Sequence, residues 1–69
     1  MIRETLTSSA LRSVGWDQDV LEVEFKDGQV WAYENVPINV WKEMMNGPTT
    51  PGKYFYRNIR SQFKGARIP

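Results

Sequence analysis

The chain contains no cysteine and no histidine among its 69 residues. Without cysteine it has no disulfide framework and no thiolate-ligated zinc site. Without histidine it has no Ser-His-Asp or Cys-His nucleophile and no histidine ligand for haem or a transition metal. These absences exclude most familiar catalytic centres. The sequence therefore predicts a protein that is not an enzyme, with no catalytic residues, no metal site and no cofactor.

Long apolar runs are missing as well. No stretch approaches the roughly 20 apolar residues that a membrane-spanning helix requires, and the start MIRETLTSSA lacks the apolar segment of a signal peptide. We therefore expect a cytoplasmic protein without a membrane partner. A chain of this length is expected to form at most one domain, since typical domains have roughly 100 to 150 residues.

Aromatic residues are plentiful, at 13% of the chain. Each aromatic side chain can bury roughly 150 to 250 Å², so a few of them dominate a core of this size. Their abundance and the balanced charge indicate a folded chain. The core candidates are Trp16, Phe25, Trp31, Tyr33, Trp41, Tyr54, Phe55 and Phe63.

Charge is unevenly distributed along the chain. Residues 1–35 carry three basic and seven acidic side chains, a net charge of −4, whereas residues 36–69 carry six basic and one acidic, a net charge of +5. No acidic residue follows Pro48. Such asymmetry favours a basic contact surface, although the basic half could instead pack near the acidic half and be neutralised by it.

The first half of the chain predicts three antiparallel strands, over 10–16, 20–26 and 29–34. The middle strand alternates apolar residues with Glu22 and Glu24, and Asp27-Gly28 is a strong hairpin signal. A two-residue loop would place Trp31 and Tyr33 on the face of the two glutamates. A three-residue loop with Gly28 left-handed would pair Phe25 with Gln29 and put both aromatics on the apolar face, and we prefer it because it buries more aromatic surface.

The second half predicts two short helices. Ile38 to Met45 follows Pro37, and Asn46-Gly47-Pro48 indicates its end, with Gly47 in a left-handed cap. Thr50 is a good N-cap and Pro51 a good first helical residue for a second helix over 53–64. The predicted fold is α+β: a three-stranded antiparallel meander followed by two helices packed on one face. The single domain covers 10–64, between a flexible lead-in (1–9) and a frayed tail (65–69).

The second helix carries a row of positive charge. At 100° per residue, Lys53, Arg57, Arg60 and Lys64 fall within about 60° of arc, opposite an apolar stripe of Phe55, Ile59 and Phe63. Like charges at this spacing repel one another, so a row without acidic partners favours an external anion. Phosphate groups of a nucleic acid fit this role. Tyr56 borders the row and could stack on an unpaired base, while Lys42 and Arg67 are weaker candidates for contact.

The acidic residues offer weaker functional interpretations. Glu22 and Glu24 share one strand face, but alternating glutamates are far more often solvated than catalytic. Asp17 and Asp19 could bind a hard cation, but paired aspartates near a strand end more often form a turn. The acidic face formed by Glu22, Glu24 and Glu34, or an exposed aromatic, could instead bind a protein, for example if the chain is a phage or prophage protein that docks on a host factor.

Several segments together resemble the KTSC family, named after a region at the C-terminus of some lysyl-tRNA synthetases and also found as free-standing bacterial and phage proteins. The resemblance spans roughly residues 8–64, from Ser8-Ser9 through Val14-Gly15-Trp16-Asp17 and Leu21 to Phe25. It continues through Gly28, Val36-Pro37 and Gly52-Lys53-Tyr54-Phe55 to Ile59-Arg60. The family's central Tyr-x-Tyr motif falls on Trp31-Ala32-Tyr33, with Trp in the first position.

The resemblance implies a small sheet followed by helices, and a role in RNA binding. Together with the basic row, it leads us to expect a non-catalytic nucleic-acid-binding module that favours RNA over DNA. The expected contacts are Lys53, Tyr56, Arg57, Arg60 and Lys64. A protein-interaction module is the alternative.

Overall fold

The fold is an α+β arrangement in which one antiparallel sheet is covered by helical segments. The computed structural model describes residues 1–7 and 10–69. Ser8 and Ser9, which belong to the predicted lead-in and to the family resemblance, lie outside the described residues. The five strands are β1 (Glu4–Thr5), β2 (Leu11–Asp17), β3 (Val20–Phe25), β4 (Val30–Tyr33) and β5 (Gly65–Ile68). The helical segments are α1 (Ile38–Asn46), α2 (Pro51–Tyr54) and a π-helical segment (Phe55–Ile59) that continues α2 directly.

The sheet is a meander whose spatial order β1-β2-β3-β4-β5 equals its sequence order. The predicted register of the β3–β4 hairpin is confirmed, because Val23 pairs with Trp31 and Leu21 with Tyr33. The Phe25 N–H donates to the Gln29 carbonyl oxygen at 2.9 Å, and Gly28 has a positive φ of 94°. The three-residue loop therefore turns both aromatics of β4 towards the apolar face, as the burial argument requires.

A β-bulge in β2 was not predicted. The pairing with β3 shifts between Leu11 and Ser13, so Leu11 lies opposite Phe25 and Ser13 opposite Glu24. One extra residue in a strand reverses the faces of the residues before it. The bulge thereby turns Leu11 into the core, where it is fully buried, although simple alternation with Val14 places it outside.

The prediction of three strands is wrong, because the sheet has five strands within the described residues. The additional strands come from the residues assigned to the flexible lead-in and the frayed tail. Glu4 and Thr5 pair with Val14 and Ser13, and Gly65–Ile68 pairs with β4 along its whole length. Neither segment has a strong strand pattern of its own, so both take their conformation from the sheet edge beside them.

The second helix begins as predicted but ends earlier. The Lys53 N–H donates to the Thr50 side-chain oxygen at 3.4 Å, and Pro51 is the first helical residue. The backbone then widens, since the Arg60 N–H donates to the Phe55 carbonyl oxygen five residues back at 3.0 Å. Helical structure stops at Ile59, five residues before the predicted end at 64.

The end of α1 also differs in its detail from the prediction. Gly47 has an extended backbone with φ −78° and ψ 176°, so it is not a left-handed cap. Its N–H donates to the Glu43 carbonyl oxygen at 2.8 Å. A Cβ at this position would collide with that same oxygen, which gives glycine a steric role here.

The core lies between the sheet and the helical segments. Met44, Phe55 and Ile59 from the helical side are fully buried against Leu21 and Val23 of β3. The Phe55 ring stands edge-on to the rings of Phe25 and Tyr33, at centroid distances of 5.7 and 5.3 Å. Such edge-to-face contacts add stability beyond the buried area alone. Phe55 is therefore the central aromatic of the core.

We expect Asp19→Gly to stabilise the fold. Gln18 and Asp19 form the two-residue turn between β2 and β3, with φ values of 48° and 65°. Side chains other than glycine are strained in this left-handed region, and glycine is the preferred second residue of such a turn. Relief of this strain is partly offset by the greater conformational freedom of glycine in the unfolded chain. The free energy of unfolding should therefore rise by about 0.5 kcal/mol. Urea unfolding measures it, with Asp17→Gly in the extended strand as a destabilising control.

Candidate functional site

The π-helical segment positions the side chains that the sequence predicts as contacts. Lys53 lies on α2, Tyr56 and Arg57 lie on the π-helical segment, and Arg60 follows it immediately. All four are exposed. Lys64 does not belong to this group, because the helix has ended and its carbonyl oxygen accepts the Glu34 N–H at 2.9 Å. The predicted row of four cations on one helix is therefore wrong for Lys64, and it reduces to Lys53, Arg57 and Arg60.

Tyr56 is a partly exposed aromatic held in place by its neighbours. Its ring lies 5.2 Å from that of Phe55 and 6.5 Å from that of Phe25, yet 40% of the residue remains exposed. The Arg60 guanidinium carbon lies 5.5 Å from the centre of the Tyr56 ring, within the range of a cation–π contact. The ring is thus held by core aromatics and a cation, while its exposed part is open to a ligand.

Two clefts meet at Tyr56. The helix cleft, about 700 Å³, lies between the N-terminal segment and α2, and its lining includes Leu6, Met45, Pro51, Lys53, Tyr56 and Arg57. The hairpin cleft, about 580 Å³, lies between the β3–β4 hairpin and Arg60, and its lining includes Phe25, Asp27, Gln29, Trp31, Tyr33 and Tyr56. Both volumes are typical of small-ligand sites. Tyr56 forms a shared wall between them.

The positive charges around the clefts are not neutralised internally. Within residues 1–7 and 10–69, no carboxylate lies within 4.0 Å of a charged nitrogen of Lys53, Arg57 or Arg60. Burial raises the pKa of the Tyr33 hydroxyl above its usual 10.0, and the Arg60 charge acts in the opposite direction. Tyr33 is therefore a neutral phenol at physiological pH. The result is a cationic rim next to neutral aromatic walls.

The acidic sheet face is engaged within the chain. Glu22 forms an ion pair of 3.0 Å with Arg3, and Glu24 accepts a hydrogen bond of 2.9 Å from the Ser13 hydroxyl. Glu34 is exposed. The sequence left open whether the basic half of the chain neutralises the acidic half. In the structure, Glu22 of the acidic face is paired with Arg3, which directly precedes β1, and not with a basic residue near the C-terminus.

The described part of the chain brings no three metal-binding side chains together in an arrangement that could hold a metal ion. No helix in this part is long and apolar enough to cross a membrane. Lys42 and Arg67, the weaker candidates, are exposed on α1 and β5 and belong to the lining of neither cleft.

The arrangement of strands and helices can be compared with known families. The model of the KTSC domain matches residues 7–63. The chain belongs to the KTSC family. A KTSC domain protein from Yersinia pestis has a crystal structure that superimposes with a TM-score of 0.86 at 28% identity, covering 99% of this chain and 97% of that one. The resemblance drawn from the sequence motifs is confirmed.

The relatives of this chain differ greatly in length. An uncharacterized protein from Stutzerimonas stutzeri (strain A1501) is 39% identical over 64 residues, covering 90% of this chain and 89% of that protein, which is a free-standing form. A lysine–tRNA ligase from Nostoc sp. (strain PCC 7120 / SAG 25.82 / UTEX 2576) is 41% identical over 44 residues. That match covers 64% of this chain and only 8% of the ligase. This chain is therefore similar to nearly the whole of one relative and to a small part of the other.

The sequence did not identify the hairpin cleft of this KTSC domain. Phe25 and Trp31 were assigned to the core, and both pack against it but are only partly buried and also line the cleft. Asp27 and Gln29 were treated only as loop residues. They line a cleft only because the tertiary fold brings Tyr56 and Arg60 close to the β3–β4 hairpin. One signal in the sequence could have indicated this cleft: β3 and β4 carry more aromatic side chains than two short helices can cover.

Proposed function

We propose that this KTSC domain is a non-catalytic nucleic-acid-binding module of the cytoplasm that favours RNA over DNA. The observation that supports it is the placement of three cations around the exposed ring of Tyr56. These cations, Lys53, Arg57 and Arg60, have no carboxylate partner among residues 1–7 and 10–69. Cations that track a phosphate backbone beside an aromatic that stacks on bases are the usual components of single-strand binding sites. The cations contribute affinity and Tyr56 contributes the stacking surface.

The preference for RNA is supported by the relative with a lysine–tRNA ligase name. A domain shared with a protein that acts on tRNA fits an RNA-binding role, although fold alone does not determine function. The alternative, a protein-binding acidic face, has less support, because Glu22 and Glu24 are already engaged by Arg3 and Ser13. A pull-down that requires the two glutamates but not Arg57 would favour this alternative.

We expect binding to a short single-stranded RNA to weaken steeply with salt. For single strands each neutralised phosphate contributes a slope of roughly −0.7 in log K against log salt, so three contacts give a slope of about −2. Arg57→Ala should weaken binding and make the slope shallower by roughly 0.7. Fluorescence anisotropy with a labelled oligonucleotide, titrated at several salt concentrations, measures both quantities.

The matched control for Arg57→Ala is Lys42→Ala. It removes the same charge from an exposed position on α1 that lines neither cleft, so affinity and slope should stay close to those of the unmodified chain. Equal effects of the two substitutions would show that only net charge matters. No binding of RNA or DNA at about 50 mM salt, where electrostatic binding is strong, would contradict the proposed function itself.

A further inference from the structure

We infer that the hairpin cleft accepts one unpaired nucleobase of a single strand, while the cations at the helix cleft hold the neighbouring phosphates. This inference rests on the proposed function and adds the form of the nucleic acid and the division of labour between the two clefts. It places the base against residues of the β3–β4 hairpin, which the sequence assigned to the core or to a loop.

The chemical difference between the clefts carries the assignment. The hairpin cleft is lined by four aromatic residues, Phe25, Trp31, Tyr33 and Tyr56. Among the described residues, the helix cleft is lined by a single aromatic, Tyr56, beside aliphatic residues and threonines. Each cleft has two cations, Lys53 and Arg57 at the helix cleft and Lys26 and Arg60 at the hairpin cleft. A planar base gains most from aromatic walls, whereas a phosphate gains most from cations. The four aromatic walls therefore assign the base to the hairpin cleft, which leaves Lys53 and Arg57 of the helix cleft for a neighbouring phosphate.

Polar groups at the mouth of the hairpin cleft can bind the edge of a base. The Trp31 indole N–H donates to the Gln29 Oε1 atom at 3.2 Å, which fixes the amide and directs its two N–H donors elsewhere. The Asp27 Oδ1 atom accepts the Gln29 backbone N–H at 3.0 Å and still has acceptor capacity. An amide donor and a carboxylate acceptor side by side complement a Watson–Crick edge, which is free only in an unpaired base.

Charge and position favour this occupant over a neutral ligand. Arg60 and Lys26 both line the hairpin cleft, so their charges can reach the phosphate of a base that binds there. Tyr33 adds to the lining a ring that is only 5% exposed. A base that enters therefore contacts several rings, with these two cations beside it.

The test compares three ligands of equal length: a single-stranded RNA, a strand of the same charge whose bases are removed to leave abasic sites, and the same RNA as a duplex, which carries twice as many phosphates. We expect the abasic strand and the duplex to bind roughly 10-fold more weakly than the single strand, since stacking contributes about 1 to 3 kcal/mol per base. Equal binding of all three would overturn the inference but keep the proposed function. No binding of any of them would contradict the proposed function.

Two indole N–H groups report where the base binds. That of Trp31 lies at the wall of the hairpin cleft, and that of Trp16 donates to the Val36 carbonyl oxygen at 2.8 Å, outside both clefts. In an NMR titration, the Trp31 indole resonance should shift with the single strand and stay in place with the abasic strand, while that of Trp16 should not move. A base-dependent affinity with an unshifted Trp31 resonance would overturn the assignment.

A pair of substitutions at Tyr56 completes the test. Tyr56→Ala should lose roughly 10-fold in affinity for the single strand and little for the abasic strand, because only stacking is removed. Tyr56→Phe keeps the ring and should bind like the unmodified chain. Equal losses for both strands in Tyr56→Ala would mean that Tyr56 positions Arg60 rather than a base, and would overturn the inference.

Discussion

Phe55→Ala should leave this domain largely unfolded. The side chain is fully buried, and its ring makes edge-on contacts with Phe25, Tyr33 and Tyr56 at 5.2 to 5.7 Å between centroids. Truncation of a buried Phe to Ala costs about 3 to 5 kcal/mol. A domain of this length has a free energy of unfolding of only about 3 to 10 kcal/mol, so the loss takes most of it. Urea unfolding followed by far-UV circular dichroism measures the change.

Two further variants make the result interpretable. Phe55→Leu keeps most of the buried volume and should lose about 1 to 2 kcal/mol, so it gives a measurable transition even where the Ala variant has none. Tyr56→Ala removes an adjacent but 40% exposed ring and should cost less than half as much as Phe55→Ala. If Phe55→Ala cost no more than Tyr56→Ala, Phe55 would not be the centre of the core.

Gly65→Ala should detach or distort the last strand. Gly65 pairs with Tyr33, and a Cβ at Gly65 would lie 2.8 and 2.9 Å from the Cδ2 and Cζ atoms of the Tyr33 ring, and closer still to Cε2. That ring cannot move away freely, because it is 5% exposed and packs edge-on against Phe55. Overfilling a packed site of this kind costs about 1 to 3 kcal/mol.

The readouts for Gly65→Ala are urea unfolding and amide hydrogen exchange along 65–68. Ala66→Ser, on the same strand but exposed, should change stability by less than about 0.5 kcal/mol. In a Tyr33→Leu background the cost of Gly65→Ala should fall clearly, since the ring that causes the collision is gone. If the cost were unchanged in that background, the effect of Gly65→Ala would come from the backbone conformation of Gly65 and not from a collision with the Tyr33 ring.

Local patterns predicted the centre of the fold well. The β3–β4 register followed from burial of Trp31 and Tyr33, because a shift by one residue would have exposed both. The start of α2 followed from the Thr50 and Pro51 pair, whose roles depend only on their own backbone. Phe55 and Ile59 were assigned correctly to the buried stripe, since the distance of four residues is short enough to survive the change from α to π geometry.

The rest depends on contacts between distant parts of the chain. β5 is a strand only because β4 offers it an open edge and Gly65 fits beneath Tyr33, and Gly65-Ala66-Arg67 contains no alternation that indicates this. The widened turn at Arg60 is likewise absent from helix periodicity, so Lys64 was placed on the cationic row by a spacing that the backbone does not keep. The hairpin cleft forms where both of these features meet, which is why its walls were not predicted as a site.

The position of β5 has a consequence for the order of folding. The pairs β2–β3 and β3–β4 join strands that are two and four residues apart, and hairpins with such short loops form in roughly 1 to 10 μs. The β4–β5 pair must instead close a loop of residues 34–64, at a larger entropic cost. The three central strands can therefore nucleate before the last strand docks, and the hairpin cleft acquires its Gly65 wall only when β5 docks.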